Sequence, residues 1–134
     1  MRPSTLLFLF LTVFFCATQV LGYLDYPPTG KAIASLKEDV AWYEKAVYTQ
    51  NEELFIRTFR VKNAYEMHRE MERYRFKKLQ VTTAAYVNTT MVIGKLRVTD
   101  AQGHADSVLH DIASVRAAYA KSSSGMKIIY IRRP

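Results

Sequence analysis

VTTAAYVNTTMVIGKLRVT, residues 81–99, is the stretch whose reading decides the fold. Its valines, isoleucine and threonines raise strand propensity, yet the alternation expected of a half-buried strand is not sustained along it. Leu79, Tyr86 and Ile93 instead keep a seven-residue helical step. On that step the segment reads as helix, and the fold class becomes all-α: a small antiparallel bundle of three to four helices, with a short C-terminal strand as one option for the tail.

The segments before it point the same way. No glycine or proline lies between Gly30 and Gly94, and a run that long without a breaker favours helix. Ile33, Leu36, Val40, Tyr43 and Val47 follow a three-four spacing that gathers them into one stripe, so residues 31–49 read as an amphipathic helix. Thr49, Gln50 and Asn51 then offer side chains to free amides, and Glu52 and Glu53 bring negative charge to a helix start. A second helix is expected to run from there to about residue 79, with Leu54, Val61, Ala64, Tyr65, His68, Met71 and Leu79 as its apolar stripe. The seven-residue step of Val40, Val47, Leu54 and Val61 leaves one continuous helix as the alternative.

Downstream, residues 99–105 contain Gly103 and read as a loop. Asp106 is placed as the cap of a last helix with the stripe Val108, Ile112, Val115 and Tyr119. Ser122, Ser123, Ser124 and Gly125 end it, and MKIIYIRRP either pairs as an edge strand or extends across the bundle. The domain plan is therefore residues 1–22 as a signal peptide, 23–30 as an extended lead-in, 31–121 as the helical bundle and 122–134 as a Ser/Gly linker with a tail.

Residues 1–22 carry one charge, Arg2, then an apolar core from Leu6 to about Phe15, and end in small residues at Val20 and Gly22. That is the pattern of a cleavable export leader. An apolar run broken at residues 17–19 is short for a transmembrane helix, which needs about 20 apolar residues. Cleavage after Gly22 removes Cys16, the only cysteine, so a secreted, extracellular protein without disulfides and without an integral membrane span is expected. The chain carries a net charge of +7, almost all of it outside the leader, and such a balance favours anionic partners. Export turns that preference away from nucleic acid.

Candidate functional residues follow from this compartment. Asn88-Thr89-Thr90 is a glycosylation sequon, placed on the solvent side of the expected third helix. Lys62, Arg69, Arg73 and Lys77 share one sector of the second helix, with Phe55 and Phe59 nearby, a pattern able to hold an anionic surface; Glu66 and Glu70 interleave as they would on a solvated, ion-paired face. Trp42, the sole tryptophan, falls off the stripe of its own helix and must be covered by another element or a partner. The tyrosines from Tyr43 to Tyr130 exceed the needs of a minimal core and admit a second reading, a carrier whose interior holds a hydrophobic small molecule.

His104, Asp106 and His110 match no zinc spacing, and a helix cap with two surface histidines explains them. Neither a metal nor a cofactor is expected. No nucleophile elbow or phosphate loop occurs, so an enzyme is the least favoured class. Cutting at Lys77-Lys78 and Arg132-Arg133 as a hormone precursor is disfavoured because the first pair falls within a helix. The expected function is binding of a macromolecular partner, an extracellular protein or an anionic surface, through Trp42 and the sector of residues 62–77.

Overall fold

The structure, a computed structural model, describes residues 29–134. The expected signal peptide and nearly all of the lead-in lie outside the described residues. Among the described residues three helices are followed by four strands: α1 Thr29–Thr49, α2 Glu52–Thr58, α3 Ala64–Arg73, β1 Lys78–Asn88, β2 Met91–Thr99, β3 His110–Arg116 and β4 Met126–Arg132. The strands form one antiparallel sheet in the order β1-β2-β3-β4. The expected all-α bundle is thereby corrected to an α+β fold in which α1 packs across one face of a meander.

The stripe on α1 meets the sheet as its spacing requires. Ala32, Leu36, Val40, Tyr43, Ala46 and Val47 are buried against Leu79, Val81, Val92, Leu96, Ile112, Met126, Ile128 and Ile131. Burying each large aliphatic side chain contributes about 1.5–3 kcal/mol. The turn expected at residues 49–51 closes α1: Gln50 takes a positive φ of 54°, and the Asn51 amide donates to the Ala46 carbonyl at 3.0 Å. The Asn51 side chain then accepts from the Leu54 amide at 3.0 Å and opens α2.

The expected second helix is two helices. Phe59 leaves the helical region and makes a parallel bridge to Ile128, with the Arg60 amide donating to the Ile128 carbonyl at 2.8 Å. The free edge of β4 is covered in this way, and Asn63 restarts the helix by accepting from the Glu66 amide. The break rotates the buried face. Phe55 and Phe59, placed by the sequence near the basic sector, lie in the core beside Tyr43 with ring centroids 5.3–5.8 Å apart. Tyr65 and His68, placed on the stripe, are exposed.

Residues 81–99 are two strands and a hairpin rather than a helix. Val81 pairs with Leu96 and Thr83 with Lys95, so Thr82 is an extra residue that moves the core-facing positions from Leu79 and Val81 to Ala84. A second bulge at Ile129 does the same in β4, where Met126 and Ile128 face the core before it and Ile131 after it. The expected last helix is strand β3, paired on both sides; of its proposed stripe Ile112 is buried and Tyr119 is exposed beyond the strand. Residues 122–134 supply β4 and the turn before it. Among the described residues no helix is long and apolar enough to cross a membrane.

Candidate functional site

Where β2 ends and β3 begins, the sheet and the C-terminal end of α3 enclose a cleft of about 610 Å³. The loop between these strands is built locally. Asp100 accepts from the amides of Gln102 and His104, Gly103 turns the chain at φ 87°, and Thr99 bridges Ala105. The Asp106 amide then donates to the Val98 carbonyl at 2.8 Å, which fixes Asp106 beside the first residue of β3.

A hydrogen-bonded chain crosses the cleft wall. The Tyr74 hydroxyl lies 2.8 Å from His110 Nδ1, and His110 Nε2 lies 2.8 Å from Asp106 Oδ2. Arg133 donates to both Asp106 oxygens, from Nε at 3.1 Å and from Nη2 at 3.4 Å, and the Val108 amide adds a bond to Oδ1. The Arg133 guanidinium first, then His110 and the Val108 amide, hold the Asp106 carboxyl far below the usual carboxylate range. An ionised Asp106 only accepts, so Nε2 carries the ring proton, and in the neutral ring Nδ1 accepts from the Tyr74 hydroxyl. Burial pushes the Tyr74 phenol up to about 12. Tyr74 and His110 are both buried, at 4% and 6% exposure, so the chain stiffens the wall and presents little of itself to a ligand.

What faces the cleft is positive. Arg73, Lys77, Arg132 and Arg133 line it and outnumber its carboxylates, Asp100 and Asp106; Arg73 is paired with Glu70 and Arg133 with Asp106, which leaves Lys77 and Arg132 without an ion pair among the described residues. Tyr74, Lys77 and Asp100 also line a second cleft of about 570 Å³, which continues between α1 and the start of β1 past Lys45, Tyr48, Phe76 and Lys78. Tyr48 and Phe76 are exposed there. Glu44, the carboxylate of this second cleft apart from Asp100, accepts from the Leu79 amide at 3.2 Å.

The expected basic sector is divided by the fold. Arg73, paired with Glu70 at 3.2 Å, and Lys77 reach the cleft, while Lys62 precedes α3 and Arg69 is exposed on it, and neither lines the cleft. Trp42 stands at a separate slot with Lys45, Asn51, Glu53, Leu54, Arg57 and Lys121. The ammonium groups of Lys121, from the β3–β4 loop, and of Lys45, three residues on in its own helix, lie 4.8 and 5.3 Å from its ring centroid, so the ring is covered by two of the protein's own cations. Asn88 ends β1 at the hairpin rather than on a helix, and its Oδ1 accepts from the amide and hydroxyl of Thr90, both at 2.8 Å.

The tyrosines do not converge on one interior site. Tyr43 directs its hydroxyl to the Glu70 carbonyl, Tyr74 to His110, and Tyr48, Tyr65 and Tyr119 are exposed. His104 sits 3.8 Å from Asp100, apart from the His110 and Asp106 pair, and no group of three metal-ligating side chains occurs among the described residues. The expected helix cap at Asp106 and surface position of His110 are corrected: β3, not a helix, begins at His110, which is buried, and Tyr74 and Arg133 reach this pair only through tertiary packing, so the sequence did not show them. The one local signal was the spacing of Asp106 and His110.

A second buried polar group lies midway along α1. Asp39 is 2% exposed, its Oδ1 accepts from the Ser124 hydroxyl at 3.0 Å, and its Oδ2 has no partner among the described residues. Glu38 beside it accepts from the Ser123 amide and hydroxyl. Burial, only partly offset by the hydroxyls of Ser122, Ser124 and Ser114, raises the Asp39 carboxyl to about 6. These bonds fasten the turn before β4 to the helix. In comparisons with known proteins, this sequence matches no family model, no curated protein and no solved structure.

Proposed function

We propose that this protein is a non-catalytic binding protein that takes an anionic group of its partner in the cleft between α3 and the β2–β3 loop. The observation that carries the reading is charge in a rigid setting. Lys77 and Arg132, which have no ion pair among the described residues, share one concavity with Arg73 and Arg133, and these cations outnumber its carboxylates, Asp100 and Asp106. Convergent cations in a preformed cleft attract an anion and lose little freedom on binding it. Binding rather than turnover is favoured because both His110 nitrogens, both Asp106 oxygens and the Tyr74 hydroxyl are committed to one another or to Arg133. The leader-like pattern of residues 1–22 supports placing this activity outside the cell.

A heparin disaccharide at low ionic strength serves as the probe, with calorimetry as the readout. Lys77→Glu is expected to weaken its binding by about tenfold or more, which corresponds to at least about 1.4 kcal/mol. Undetectable binding to the parent protein, or equal binding to parent and variant, rejects the reading.

A further inference from the structure

Resting on that reading, we infer that the partner is an extended sulfated polysaccharide, which lies along both joined clefts and reaches over α1 to the Trp42 slot. The two clefts share Tyr74, Lys77 and Asp100, and Lys45 lines both the second cleft and the slot. Binding groups therefore continue from Arg132 and Arg133, past Lys77 and Lys78, to Lys45 and then to Lys121 and Arg57. A compact anion touches one end of this track. A linear chain with regularly spaced charges can touch all of it.

Three observations favour the chain. First, the cations of the joined clefts, Arg73, Lys77, Arg132, Arg133, Lys45 and Lys78, outnumber their carboxylates, Asp100, Asp106 and Glu44. Lys45, Lys77, Lys78 and Arg132 have no ion pair among the described residues. Second, aromatic faces interleave with them. Phe76 and Tyr48 are 62% and 74% exposed and line the second cleft with Lys45, Lys77 and Lys78. Apolar faces beside cations suit sugar rings that carry sulfates. Third, Lys77 lines both clefts and Lys45 lines both the second cleft and the slot, so the binding groups follow one another without a gap instead of forming separate patches. Export disfavours nucleic acid.

The test compares a long heparin chain with the heparin disaccharide on the purified full chain, recording affinity against salt concentration. The long chain is expected to bind at least tenfold tighter with a steeper salt dependence, because each added cation releases counterions. Lys45→Gln and Lys78→Gln are each expected to lower the ratio of long-chain to disaccharide affinity several-fold and to reduce the long-chain salt slope by about one. Equal affinities for the two probes, or an unchanged ratio in both variants, overturn the extended track while leaving anion binding standing. Failure of both probes overturns the proposed function itself. Tighter binding to phosphatidylserine vesicles or duplex DNA than to heparin overturns the polysaccharide assignment.

Discussion

A methyl group at Gly94 would meet Leu36 Cδ2 and the Thr83 carbonyl oxygen, each at 2.5 Å. The leucine can move, but the carbonyl belongs to a strand pinned on both sides of the Thr82 bulge. Gly94→Ala is therefore expected to destabilise the protein by about 1–3 kcal/mol, seen as a lowered urea midpoint, and an unchanged midpoint would show that α1 does not press on the sheet here. Asp39 carries a different cost. Its carboxyl, ordinarily near 3.8, sits at about 6 because burial opposes the charge, and Glu38 is the charged neighbour that adds to the opposition. The folded state thus keeps a proton that the unfolded chain releases, so this contribution is full below about pH 4 and is lost as pH rises through about 6. The loss is on the order of 2–3 kcal/mol. Asp39→Asn keeps the acceptor for Ser124, and its stability relative to the parent is expected to climb across that window. Parallel stability curves for the two proteins would contradict the account.

At the scale of elements, what the sequence disclosed depended on whether one period ran through a whole segment. The stripe of α1 keeps its spacing from Ala32 to Val47 with no interruption, and its expected limits of 31–49 differ from Thr29–Thr49 only at the start. Strand β1 has no such regularity, because the extra Thr82 moves the buried positions from odd to even numbers midway. Leu79, Tyr86 and Ile93 kept a helical step by coincidence: Leu79 is buried, Tyr86 packs at the edge of the core and Ile93 points to solvent. A cleaner sign was present in β2, where Val92, Leu96 and Val98 alternate and the small Gly94 fills the remaining place on the same face. The break after Thr58 was hidden for another reason, since Phe59 leaves the helix to pair with Ile128, a partner distant in sequence. Local caps, by contrast, were readable. Asn51 ends one helix with its amide and begins the next with its side chain, so Asn51→Ala is expected to cost about 1 kcal/mol while Asn51→Asp retains most of the stability. Chemical denaturation of both variants checks this, and equal losses would assign the effect to the backbone alone.

For the whole molecule, the four-residue chain through His110 ties the end of α3 to β3, to the β2–β3 loop and to the residue after β4. Tyr74 follows α3, His110 opens β3, Asp106 closes the β2–β3 loop and Arg133 follows β4. Apart from Asp106 with His110, four residues apart, these partners could not be paired from the sequence, because their meeting depends on the register of Leu96 with His110 and of Asp111 with Arg132. Only the cation-rich character of residues 73 and 77 was legible beforehand, and the fold separated it from Lys62 and Arg69. If the chain acts as a unit, removing one end should change what the other end is worth. Tyr74→Phe leaves His110 Nδ1 buried without a donor, at a cost of about 1–3 kcal/mol. Asp106→Asn removes the charge that fixes the ring proton on Nε2 and frees Arg133. The double variant is then expected to lose less than the sum of the two single losses, by about 0.5 kcal/mol or more, because the imidazole can turn once neither neighbour constrains it. Tyr74→Phe should weaken disaccharide binding, since the wall that presents Arg132 and Arg133 loosens with the chain, whereas Asp106→Asn, which takes a carboxylate out of the cleft and frees Arg133, should strengthen it. Strict additivity in unfolding, together with unchanged binding, would mean that Tyr74 and Asp106 act separately and that the cleft owes its shape to the backbone of the β2–β3 loop.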